Sequence, residues 1–210
     1  MEGGGPLDAV VSYLIQMIIP AMLGALLWWL TRGWRRSRLS VKCLRAGSFR
    51  EGALLLFFMF IMGLLALTLT PAGFWNAVLQ GKSPHIPEPF RGGINLIPFQ
   101  RSLELLQYYQ KHRLWNAILI NFPGNILMFL PIGFFAALLS DKPRWWKGTL
   151  WTFGVSLFIE IFQLFVSRGT DVDDLILNTL GGILGHWAFL LLRWSYPGLV
   201  QKCARQRRGI

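Results

Sequence analysis

The sequence predicts an all-α integral membrane bundle of five transmembrane helices. Three observations predict it: of 210 residues 53% are hydrophobic, only 15% are charged, and the apolar residues gather in runs long enough to cross a bilayer. The length suits a single membrane domain over residues 1–210. Two Cys and the lack of long polar runs exclude a disulfide scaffold, a disordered chain and a collagen-like chain.

The first apolar run extends from about Val10 to Leu30. It is too long for the core of a secretory signal, has no small-residue cleavage site, and is preceded by Glu2 and Asp8 rather than by basic residues. Further runs cover about Gly52 to Trp75, Trp115 to Leu139, Thr149 to Val166 and Leu175 to Trp194. Trp28, Trp29, Trp34, Trp75, Trp115, Trp145, Trp146 and Trp194 fall near the predicted ends, where interfacial anchors belong. Five spans put the termini on opposite sides.

The net charge of +11 would suggest a nucleic-acid partner in a soluble domain. In a membrane protein its position matters more, because Lys and Arg near span ends stay cytoplasmic. Residues between spans one and two, between spans three and four, and at or after the end of span five, where Arg193 lies, hold fifteen of the 21 basic residues and two acids, a net +13. The opposite side holds six basic residues and eight acids, a net −2. The predicted topology is therefore N-terminus outside and C-terminus cytoplasmic, with membrane lipids and no nucleic acid as partners. Cys43 and Cys203 both fall on the reducing side and are expected to be ordinary thiols. The chain has no Walker loop, dinucleotide motif, CxxC pair or convincing repeat.

The long outer connection, about Asn76 to Leu114, is rich in Pro and Gly and then turns apolar at Ile94-Asn95-Leu96-Ile97-Pro98-Phe99. Irregular backbone survives at membrane depth only against protein, so this hexapeptide is expected to dip against the outer helix ends. Ser102 to Arg113 reads as a short interfacial helix. Within span three, Asn121 and Asn125 are four residues apart, which puts them on one helical face, and Pro123 and Pro131 loosen the same helix. Span four holds Glu160, a carboxylate inside an apolar run, with Gln163 three residues on. Before span five, Asp171 with Asp174 resembles an N-cap and an acidic N3, while Asp171, Asp174 and Asn178 share one helical face. Gly181 and Gly185 form a GxxxG pair suited to helix packing, and His186 suits an interhelical hydrogen bond. Asn121, Asn125, Glu160, Gln163, Arg168, Asp171, Asp174 and Asn178 all map to the outer half of the bilayer, consistent with one outward polar cleft. Such acceptors suit amides, sugars or a hard cation, and Arg168 suits an anion.

Those residues also carry a family resemblance. The blocks Asn95-Leu96-Ile97-Pro98-Phe99, Asn125 to Gly133, Glu160-Ile161-Phe162-Gln163 and Arg168 to Gly182 resemble, in order and spacing, the VanZ-like family of bacterial membrane proteins over about Asn95 to Gly185. The resemblance implies a multi-pass protein of the bacterial plasma membrane associated with reduced susceptibility to the glycopeptide antibiotic teicoplanin. It implies a phenotype and no reaction.

Two readings of function follow. The first is a non-enzymatic envelope protein without a cofactor, whose cleft (Asn95, Asn121, Asn125, Glu160, Gln163, Arg168, Asp171, Asp174, Asn178) binds a cell-wall precursor, a lipid or a lipoglycopeptide. The alternative is an intramembrane enzyme on a lipid-linked or cell-wall substrate. There Glu160 or Asp174 would act as acid/base, or Glu160, Asp171 and Asp174 would hold a divalent cation.

Overall fold

The computed structural model describes residues 6–41, 44–71, 74–79, 81–83, 93–166 and 169–207, of which 6–15, 45, 75, 76, 79, 119, 120, 206 and 207 are described by backbone alone. The order is α1 (Pro6–Val41), β1 (Leu44–Ala46), α2 (Ser48–Leu69), α3 (Phe74–Leu79), β2 (Ile94–Asn95), α4 (Gln100–Lys111), α5 (Trp115–Leu138), α6 (Trp145–Phe165), β3 (Thr170–Asp171), α7 (Val172–Ser195), α8 (Pro197–Cys203) and β4 (Arg205–Arg207). Helices α2, α5, α6 and α7 are each long and apolar enough to cross a membrane. The first predicted run lies within α1. The predicted interfacial helix is α4, shifted two residues toward the N-terminus.

Span two differs from its predicted bounds for a local reason. Thr70 adopts an extended conformation (φ −97°, ψ 142°) ahead of Pro71, whose ring disfavours helix at the preceding residue. The helix stops at Leu69, and Phe74–Leu79 form the separate α3.

Small residues let the long helices approach closely. A side chain at Gly181 or Gly185 of α7 would collide with the carbonyls of Ile126 and Leu130 of α5, and one at Gly182 would collide with Thr152 of α6. Gly133 of α5 faces the Gly182 carbonyl in the same way. The predicted GxxxG pair is thus the contact surface of α7 with α5. Further along, Gly24 fits α1 against the backbone of Phe58 and Met59 in α2. Phe129, Ile132, Leu64 and Ile159, from α5, α2 and α6, make the central buried cluster. Large apolar side chains such as Leu127, Trp151, Ile161, Trp187 and Leu191 point outward, and Trp115, Trp145, Trp146 and Trp194 stand exposed at helix ends. An apolar outer surface is what hydrocarbon surroundings permit.

The connections gather at two ends. At one, β1 pairs antiparallel with β4, Asp141 of the α5–α6 turn bonds Arg205 at 2.8 Å, and buried Arg50 donates to the carbonyls of Cys203 (2.9 Å) and Leu139 (2.7 Å). This end carries the basic loops of the charge count. Cys203 is free and buried here, and burial pushes its thiol pKa up, which keeps it protonated. Cys43 lies outside the described residues. At the other end, β2 pairs parallel with β3, in the register Ile94 to Thr170 and Asn95 to Asp171, bringing the long connection onto the start of α7.

Candidate functional site

Asp171 organises the second end. It is the N-cap of α7, and its Oδ1 accepts from the Asp173 amide at 3.0 Å, as its place in the sequence predicts. The same oxygen accepts from Asn95 Nδ2 (3.1 Å), and Oδ2 lies 3.7 Å from Arg101 Nε of α4. Glu160, 3% exposed, reaches up from α6 so that its Oε2 accepts from the Asp171 amide at 3.0 Å, while its carbonyl accepts from the Thr170 hydroxyl at 2.9 Å. One turn further along α7, Asp174 accepts from Asn125 Nδ2 of α5 at 2.6 Å. Asn178, 4% exposed, donates to the fully buried Ser156 of α6 at 2.9 Å, and its Oδ1 has no partner among the described residues.

Asn95, Asn125, Glu160, Asp171, Asp174 and Asn178 are therefore brought together as paired links between α5, α6, α7 and the β2 loop. The described bonds of these six residues run to other groups of the protein. Gln163 turns away to α2, where its Nε2 donates to the Thr68 carbonyl at 3.2 Å. Asn121 stands exposed, donating to the Ala117 carbonyl (2.8 Å) and the Tyr109 hydroxyl (3.3 Å). The shared face expected for Asn121 and Asn125 thus does not put them in one site. Arg168 lies outside the described residues. Among the described residues, no three His, Cys, Asp or Glu side chains gather as a metal-holding group.

Three residues join the site that sequence reasoning missed. Asp173, 3% exposed, accepts from the backbone amides of Phe99 and Ser102. It supplies the N-terminal cap of α4 that Phe99, in the left-handed region at φ 65°, cannot supply for itself. Ser156 completes the Asn178 pair, and Arg101 contacts Asp171. Arg101 gave no sequence signal, because it lies one residue outside the predicted helix Ser102 to Arg113 and only the structure places it on α4. Asp173 falls within the resembling block Arg168 to Gly182 and reads there as a helix-start acid, with no sign that it caps a helix some seventy residues earlier in the chain, and Ser156 looks like a small residue in an apolar run.

Arg101 also borders a groove of about 580 Å³ whose lining includes Asn95, Gln100, Glu104, Leu105 and Tyr108. Beside it the hexapeptide is pinned by its backbone and by Asn95, while its apolar side chains point outward. Ile94, Leu96, Ile97 and Phe99 are 56–72% exposed, and Leu103 of α4 continues the row. The expected burial against helix ends therefore holds for its backbone links and not for these side chains. Amide, carboxylate, guanidinium and phenol groups thus lie next to a strip of exposed hydrocarbon.

No curated protein and no solved structure matches the chain. The sequence model of the VanZ/LLP1 family matches residues 54–193, from the first turns of α2 to the last turn of α7. That stretch is two-thirds of the chain and contains every link of the polar site, so the chain belongs to the VanZ-like family.

Proposed function

We propose that the protein is a non-enzymatic accessory of the bacterial cell envelope, crossing the plasma membrane five times with its N-terminus outside. Its outer site binds an amphipathic ligand, either a lipid-linked cell-wall precursor or a lipoglycopeptide, and lowers susceptibility to teicoplanin. The observation carrying this reading is the groove bordered by Asn95, Arg101 and Tyr108, next to the exposed strip Ile94, Leu96, Ile97 and Phe99. A polar head and an apolar tail would each find matching surface there. The five-span topology is supported by the division of basic residues between the ends and by the apolar run inside α1.

The test is expression in a susceptible bacterium, reading growth inhibition by teicoplanin and surface binding of labelled teicoplanin. Arg101→Ala and Tyr108→Ala are expected to abolish the protection at unchanged membrane level. Protection equal to wild type in both variants would sink the reading.

A second reading, an intramembrane enzyme on a lipid-linked substrate, draws on the buried Glu160 and the nearby Asp174 of the adjacent helix. It has less support, because one carboxylate is held by the Asp171 amide and the other by Asn125. Turnover of a lipid-linked precursor by purified protein, lost with EDTA or with Glu160→Gln, would establish it in place of the first.

A further inference from the structure

At the acidic end of the bundle, that of Asp171 and Asp173, the open groove holds two opposite charges that do not neutralise each other. Arg101 and Glu104 are the charged residues of its described lining. They stand three residues apart on α4, on one face, with β-carbons about 5–6 Å apart. Among the described residues no ion pair joins them. Arg101 turns its Nε toward Asp171 at 3.7 Å, the side chain is 46% exposed, and its terminal nitrogens have no acceptor among the described residues. Asp171 itself is taken up by Asn95 Nδ2 and the Asp173 amide. Glu104 is exposed, and the donor it meets among the described residues is the neutral Gln100 amide, at 3.1 Å. Tyr108, one turn further along α4, lines the same groove and is 53% exposed.

A ligand head with an anion alone would meet the Glu104 carboxylate, and one with a cation alone would meet the Arg101 guanidinium. Either juxtaposition of like charges lowers affinity. Both residues contribute when the head carries both charges. A forked guanidinium suits phosphate or carboxylate oxygens, and a carboxylate beside an aromatic ring suits an ammonium. We propose that the groove selects a zwitterionic head, an anionic oxygen group joined by a short bridge to a primary ammonium, with Arg101 taking the anion and Glu104 and Tyr108 the ammonium. This selectivity rests on the ligand-binding reading of the groove and adds the chemistry of the head. The exposed strip Ile94, Leu96, Ile97 and Phe99 beside the groove assigns that head to an amphiphile, of which a phospholipid with an ethanolamine phosphate head is the simplest probe.

The protein is reconstituted in nanodiscs holding phosphatidylethanolamine and phosphatidylglycerol in equal amounts with identical acyl chains, released, and weighed with its retained lipid by native mass spectrometry. Wild type is expected to retain phosphatidylethanolamine over phosphatidylglycerol about fivefold, the effect of one charged hydrogen bond in an open, solvated groove. Glu104→Gln keeps the length of the side chain and is expected to remove the preference by lowering retention of phosphatidylethanolamine alone. Arg101→Gln is expected to lower retention of both lipids. Lys111→Gln, an exposed position on the same helix outside the groove lining, is expected to leave the preference unchanged. Wild type without a preference, or a preference intact in Glu104→Gln, would overturn the selectivity. Equal loss in Lys111→Gln would overturn it too, by assigning the preference to the general charge of the helix. Displacement of the lipid by excess O-phosphoethanolamine would assign the groove to a soluble zwitterion and overturn the amphiphile. The ligand-binding reading fails separately, through teicoplanin protection that survives Arg101→Ala and Tyr108→Ala.

Discussion

The two ends of the bundle solve the same problem with opposite charges. At the acidic end, carboxylates meet helix N-termini: Asp171 caps α7, and Asp173 caps α4 from another element. At the basic end, Arg50 meets helix C-termini, taking the carbonyl of Leu139 after α5 and of Cys203 in α8. Each charge complements the partial charge of the backbone it touches, and each ties together segments distant in sequence. The difference is in what is left over. Among the described residues, the acids of the polar site are taken up by amides, Asn side chains and Arg101, with Asn178 Oδ1 left without a partner, while the basic end leaves Trp28 Nε1 and the Nε atoms of Arg32 and Arg35 without an acceptor. The acidic end also presents polar groups in the groove above it.

The contrast can be broken at several strengths. The largest effect belongs to the helix contact on which both ends depend. Gly185→Leu drives a side chain into the Leu130 carbonyl, backbone that cannot yield, and should cost upward of about 3 kcal/mol. Loss of the folded protein in a thermal unfolding assay in detergent checks it. Arg50→Gln comes next. It deletes two charged hydrogen bonds in a residue 4% exposed, and should cost about 3 kcal/mol. Hydrogen exchange should rise in α8 and the α5–α6 turn, with the acidic end unchanged. Asp173→Ala should cost about 1–2 kcal/mol, the value of a helix cap. Proteolysis between residues 95 and 113 should then accelerate while α7 keeps its protection. The smallest effect is expected from Asp141→Asn, whose exposed pair with Arg205 is worth about 1 kcal/mol or less. High salt should abolish even that difference. If Asp173→Ala loosened the basic end as much as the acidic one, the two ends would be one cooperative unit and the contrast would fail.

Most of the architecture was legible because each long helix carries its own signal. Apolar length marks α2, α5, α6 and α7, Trp residues mark one end each of α5, α6 and α7, and Asp171 announces the start of α7 by its local cap chemistry. What the sequence concealed depends on partners remote in the chain. Asp173 looks like a second acid in a first turn, yet it works for α4. Asn121 and Asn125 share a helical face by spacing, but α7 reaches Asn125 and leaves Asn121 to Tyr109. Gln163 shares the face of Glu160 on paper, whereas the packing of α2 claims it. Local patterns report where a side chain can point; the neighbouring helix determines what it meets.

The short antiparallel ladder between β1 and β4 bears on the order of assembly. Its first strand follows α1, and its second follows every spanning helix. As the chain emerges from the ribosome, the link between α1 and α2 must wait, with an open strand edge, until the rest of the bundle has been inserted. Arg50 waits as well, since one of its acceptors is the carbonyl of Cys203. The basic end is thus a clasp that engages after synthesis of the spans. A tag or truncation reaching residues 205–207 would leave that clasp open without disturbing the sequence of any span.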